Sequence, residues 1–152
     1  MTSYFGDVDN VCRAVYEQVR DSYAVEHVSI RCAEDLLKCK DIVDLSDQQQ
    51  EHFNVVTLST AAEVIKVHNI TKGLLNHSLV HPREVFRAAI LDNAHSIICV
   101  HNHPSGNVEP SNQDLEVTKQ LVRSGKILGI EVLDHVIVTK SGVTSLRSLG
   151  YF

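Results

Sequence analysis

No stretch of this chain is apolar for long enough to span a membrane. The opening Met-Thr-Ser-Tyr-Phe-Gly-Asp lacks the basic region and apolar core of a secretory signal. The cytoplasm is therefore the expected location. The four cysteines, Cys12, Cys32, Cys39 and Cys99, form no Cys-x-x-Cys pair, so reduced, mostly buried thiols are expected rather than a disulfide framework. Basic charge is scarce, with 14 Lys+Arg against 19 Asp+Glu and a formal net charge of −5. Residues 1–50 carry five basic and ten acidic groups, whereas residues 51–152 carry nine of each. Neither part is basic, so the electrostatic footprint of a tight, nonspecific nucleic-acid binder is missing. No internal repeat or low-complexity segment occurs. What remains is a chain of 152 residues, 43% hydrophobic and 22% charged, long enough for one domain with a single substantial core.

Val8, Val11, Val15 and Val19 recur at helical spacing and predict a helix over residues 7–23. Ser29 is placed to cap a second helix running to about Lys40, with Cys32, Leu36 and Leu37 as its apolar face. Asp41 to Glu51 is polar and acidic and reads as a loop or short helix. Residues 1–50 together read as a helical cap, and residues 51–152 as the main domain. Phe53–Leu58 and Ala62–Val67 are β-branched runs joined by a short polar turn, which predicts a hairpin. Asn69 to Asn76 is expected to be a loop, and Leu74 to Val80 a third short strand. Pro82 suits the first turn of a helix over residues 84–92. A strand over 96–101, a helix over 111–124 ending at Gly125, and a strand over 131–139 follow. Locally paired strands, then strands alternating with helices, indicate an α/β sandwich around a mixed sheet.

The most informative stretch is His-Asn-His-Pro-Ser-Gly-Asn-Val-Glu-Pro-Ser-Asn-Gln-Asp, residues 101–114. The apolar run Ser96–Val100 leads into it as a buried strand. His101 and His103 stand two apart, so in extended backbone both imidazoles point to one side. Ser111 and Asp114 open a helix as an N-cap and an acidic third position. Two imidazoles and a carboxylate suit zinc, and three protein ligands leave a fourth position for water. Cys99 continues the alternating series and is a conceivable ligand, but a small buried core residue is the favoured reading.

The pattern His-x-His-x7-Ser-x2-Asp, filled by His101, His103, Ser111 and Asp114, resembles the signature of the JAB/MPN (JAMM) metalloprotease family. Leu79-Val80-His81-Pro82-Arg83-Glu84-Val85-Phe86, His101–Gly106 and Leu133-Asp134-His135-Val136-Ile137-Val138 look like the RadC branch of that family. The resemblance covers residues 50–150 and implies a three-layer, cytidine-deaminase-like sandwich with a mixed central sheet. Longer RadC relatives carry a helix-hairpin-helix module near the amino end. No Gly-rich hairpin pattern occurs here, which reads as a short form without that module.

The resemblance also implies roles. One zinc ion per chain, held by His101, His103 and Asp114, would lower the pKa of its water from about 16 towards roughly 7. Glu84, at a helix start upstream of the histidines, is expected to be the general base, with Glu63 and Glu109 as poorer candidates. Ser111 is expected to support the oxyanion as well as cap its helix. His81 flanks the Glu84 helix as a minor active-site candidate, and Asp134-His135 enters a strand, where it would support the ligands, line the substrate groove or be purely structural. Many isopeptide-cleaving members have Ser or Thr between the two histidines, where this chain has Asn102. The leading expectation is a zinc metallopeptidase acting on a peptide or protein. The alternatives are a nucleic-acid-processing hydrolase linked to DNA repair and a non-catalytic MPN scaffold.

Overall fold

The computed structural model describes residues 28–73 and 80–152. The helix expected over 7–23 and the strand expected over 74–80 lie wholly or almost wholly outside these residues. Five strands form one mixed sheet: β1 (Glu51–Leu58), β2 (Val64–Gly73), β3 (Ser96–Asn102), β4 (Glu131–Thr139) and β5 (Gly142–Ser145), in the order β2-β1-β3-β4-β5. Only β3 and β4 run parallel; the other neighbours are antiparallel. The described helices are α1 (Lys40–Val43), flanked by 3-10 turns at Ala33–Lys38 and Asp44–Asp47, then α2 (Pro82–Leu91) and α3 (Asn112–Leu128).

Alternation along the central strands divides the core in two. Ile98 and Val100 of β3 join Val56, Leu58, Val136 and Val138 on one face, covered by Ile30, Leu36, Ile42 and Leu45 of the amino-terminal turns. Ile97 and Cys99 join Phe53, Val55 and Val132 on the other, covered by Val85, Phe86 and Ala89 of α2 and Leu121 of α3. The result is a sandwich of three layers: short helical turns, sheet, and two longer helices. The described part of the expected amino-terminal cap thus packs directly on the sheet.

Several local expectations are revised. Instead of one helix from Ser29 to Lys40, three short turns form, and Ser29 bridges Glu63 as extended backbone. Leu36 is buried but Leu37 is exposed, so the segment follows the sheet surface rather than a single helical stripe. Thr71, Lys72 and Gly73 do not form a loop but extend β2, pairing with Phe53, His52 and Glu51. Helix α3 runs past Gly125 to Leu128 and is capped by Gly129 in the left-handed region, at φ 72°. Gly125 instead marks close packing: a Cβ there would stand 2.4 Å from the Ile130 carbonyl oxygen.

Candidate metal centre

The site lies at the carboxyl end of the parallel pair β3–β4, where mixed sheets commonly bind ligands. His101 is the penultimate residue of β3, on the face covered by α2 and α3, and His103 follows two residues later. Asp114 enters from the first turn of α3. Ser111 caps that helix: its hydroxyl accepts from the Asp114 N–H at 3.1 Å and donates to Asp114 Oδ2 at 2.8 Å. Its own N–H also donates to Oδ2, at 2.8 Å. The capping box therefore aims one carboxylate oxygen, while Oδ1 lies 3.4 Å from His101 Nε2 and Oδ2 3.4 Å from His103 Nε2. The two Nε2 atoms are 2.9 Å apart.

A fourth group completes the cluster, and it is Glu51, not Glu84. One ligand atom each from Glu51, His101, His103 and Asp114 falls within a mutual 4.8 Å. Glu51 opens β1, and β1 pairs antiparallel with β3 so that Phe53 faces His101; two residues further along, Glu51 comes level with the histidine pair. The expectation for Glu84 is therefore revised. Helix α2 forms as predicted, with Pro82 in its first turn. However, its buried stripe of Val85, Phe86, Ala88 and Ala89 turns Glu84 outward, half exposed and 3.4 Å from Arg83 Nε.

The remaining candidates separate cleanly. Glu109 lines the cavity at its exposed rim. Glu63 sits beside the β1–β2 turn, bridging Ser29, and His81 is the N-cap of α2. Cys99 is fully buried in the apolar cluster, where burial pushes its thiol pKa up. It is not one of the clustered ligand groups among the described residues. Asp134 turns away from the site to accept from Ser145 Oγ at 2.5 Å and from the Arg147 N–H at 3.1 Å, anchoring β5. His135 faces the site, with Nε2 2.8 Å from His101 Nδ1. It does so because β4 carries a bulge: Val132 pairs with Ile97 and Asp134 with Ile98, leaving Leu133 as the extra residue.

The donor set fits a metal cation. His103 Nδ1 lies 2.7 Å from the Asn107 carbonyl, which can only accept, so its proton sits there and its Nε2 lone pair faces the cluster. Burial works to raise the Asp114 pKa, but the adjoining His101 and His103 rings and the Ser111 N–H outweigh it and hold the carboxyl far below the usual carboxylate range. The Asp114 carboxylate in turn raises His103, against the effect of its burial. Burial lowers His135, and His101 adds to the effect, which keeps the His135 ring neutral. Two imidazole nitrogens and two carboxylates thus converge where a positive charge is favoured. They open onto a cavity of about 680 Å³ lined by Gln49, Gln50, Phe53, Val117, Ser111 and other residues. No helix of the described residues is long and apolar enough to cross a membrane.

Comparison with known proteins agrees with this geometry. Residues 30–151 match the RadC-like JAB domain. A UPF0758 protein of Methanospirillum hungatei is 61% identical over 126 residues, which cover 83% of this chain and 56% of the relative. A UPF0758 protein of Listeria monocytogenes serotype 4b is 49% identical over 127 residues, covering 84% of this chain and 56% of the relative. A relative from Geobacillus kaustophilus is 45% identical over 134 residues, or 88% of this chain and 59% of its own length. The chain thus spans little more than half the length of these relatives. With the family match running through both the described core and the candidate metal cluster, the chain belongs to the RadC-like JAB domain family.

Proposed function

We propose that the chain is a zinc-dependent hydrolase acting on a peptide, with His101, His103 and Asp114 holding the ion. The observation that carries this reading is the convergence of these three groups and Glu51 within 4.8 Å at the floor of an open cavity. The ion would supply a water with a pKa near 7 and a Lewis acid for the scissile carbonyl. Glu51, beside the ligands but on a different strand, takes a proton from the attacking water and returns it to the leaving nitrogen. The Ser111 hydroxyl lines the same cavity; rotated away from Asp114 it donates to the oxyanion. Gln49, Gln50, Phe53 and Val117 offer amide and apolar contacts suited to a peptide. Among the described residues, the cavity wall contains Glu51, Glu109 and Asp114 but no lysine or arginine, which disfavours a polyanionic nucleic acid.

Elemental analysis of protein purified without added metal is expected to find about one zinc per chain. Glu51→Gln is expected to keep that zinc and to lose roughly 100- to 10,000-fold in turnover on any cleaved peptide. Glu84→Gln is expected to keep both. Loss of zinc in Glu51→Gln would make Glu51 a fourth ligand, and the site a closed structural one. Full turnover in that variant would move the base to another residue.

A further inference from the structure

Thr118 stands one helical turn beyond Asp114, and its hydroxyl has two polar neighbours. Thr118 Oγ1 is 2.6 Å from the Asp114 carbonyl oxygen and 2.5 Å from His135 Nδ1. Two oxygens 2.6 Å apart need a proton between them, and a carbonyl has none to give. The single hydroxyl proton therefore points at Asp114, and Oγ1 is left to accept from His135 Nδ1–H. A neutral imidazole carries one N–H, so His135 Nε2 is bare and accepts from His101 Nδ1–H. His101 Nε2 is then bare in its turn, with its lone pair facing the metal cluster. Thr118, His135 and His101 are 1–2% exposed, so bulk water does not compete for these bonds.

We propose that Thr118 is a positioning residue that sets the metal-binding tautomer of His101 through His135, touching neither the ion nor its ligand side chains. The inference rests on His101 being a ligand, as argued above. The relay begins at one ligand and ends on the backbone of Asp114, another, so one proton direction and the seating of α3 are set together. A metal-ligating histidine commonly donates its other ring N–H to a carboxylate, a backbone carbonyl or water. Here a carbonyl, acting through a hydroxyl, does that job within an uncharged chain.

The test combines zinc affinity with direct observation of the ring protons. Thr118→Val removes the hydroxyl at nearly constant shape and should weaken zinc binding roughly 10- to 100-fold in a chelator competition, the usual range for a lost outer partner. Thr118→Ser should restore wild-type affinity. In metal-free wild-type protein, long-range proton–nitrogen correlations should show His135 protonated at Nδ1; in Thr118→Val the proton should move to Nε2. His135→Phe, which keeps a ring against Phe53, should weaken zinc binding as Thr118→Val does. Should Thr118→Val not fold, the wild-type tautomer and His135→Phe still decide the matter. Wild-type His135 protonated at Nε2, or a folded Thr118→Val with wild-type affinity, would overturn the relay while leaving the metal site standing. A wild-type protein that takes up no zinc would overturn both.

Discussion

Asn102 stands between the two histidines yet faces away from them, because successive side chains on a strand point to opposite faces. It is 1% exposed, and its hydrogen bonds go to the entry into β1. Oδ1 accepts from the His52 N–H at 2.7 Å, and Nδ2 donates to the carbonyls of Gln50 at 2.9 Å and Gln48 at 3.3 Å. These three groups bracket Glu51, so one carboxamide ties the proposed base to the strand that carries the proposed histidine ligands. A serine or threonine hydroxyl would be too short to span both directions, which gives the departure from the Ser/Thr pattern a structural meaning. Asn102→Ala should cost about 1–3 kcal/mol for each buried group left unpaired. It should also lower turnover while leaving zinc affinity near that of wild type. Denaturant unfolding and zinc titration together check this; unchanged stability would mean the bracket carries no load.

At the scale of elements, two helix ends show how tertiary contacts overrule local rules. Gly129 caps α3 in the left-handed region with open space where a Cβ would go, so Gly129→Ala should cost about 1–2 kcal/mol. Gly125 has ordinary helical backbone, yet a Cβ there would meet the Ile130 carbonyl at 2.4 Å and the Phe86 ring at 3.3 Å. Backbone cannot rotate aside, so Gly125→Ala should cost about 3 kcal/mol or more. Thermal or urea unfolding of the two variants should rank them in that order. At the end of α2, Asp92 places a carboxylate where the helix dipole disfavours one. Burial works to raise its pKa, but hydrogen bonds from Thr57 at 2.7 Å and His68 at 2.5 Å outweigh that and hold it below the usual range. A carboxyl depressed in the folded state stabilises above its unfolded pKa of about 3.9, and the gain is lost as pH falls through the lower folded value. The stability advantage of wild type over Asp92→Asn should therefore be full at neutral pH and disappear in strong acid. Urea midpoints across the acid range measure it, and an advantage independent of pH would refute the assignment.

For the molecule as a whole, the sheet is covered on both faces, and each cover supports the site differently. Helices α2 and α3 bury the face that bears the proposed ligands. The turns between Ile30 and Leu45 bury the opposite face, with Leu36 and Ile42 fully buried against strands that include Val100 and Val136. Those strands deliver His101 and His135. Deleting residues 1–47 is therefore expected to expose this apolar face and abolish cooperative unfolding, rather than leave a folded zinc-binding domain. Circular dichroism melting and zinc content of the shortened chain test this; a cooperative, zinc-loaded product would show that the sheet stands without that cover.

Much of the site is legible in residue order because the relevant geometry is local. Alternation along β3 places His101 and His103 on one side, and the Ser111–Asp114 capping pattern places a carboxylate in the first turn of α3. The β-branched runs mark β1, β3 and β4, and Pro82 marks the start of α2. Pairing between distant strands carries no such local signal. Nothing near Glu51 in the chain announces that β1 will run antiparallel to β3 and bring it level with residues about a third of the chain away. The outward turn of Glu84 follows from which stripe of α2 the sheet buries, a choice made by Val85, Phe86 and Ala89 only once the layers meet. The bulge at Leu133 is subtler still: a one-residue slip in β4 reverses which face every later side chain takes. The proposed ligands were thus a matter of local periodicity, whereas the proposed base and the histidine behind His101 were decided by strand register, a property of the assembled sheet alone.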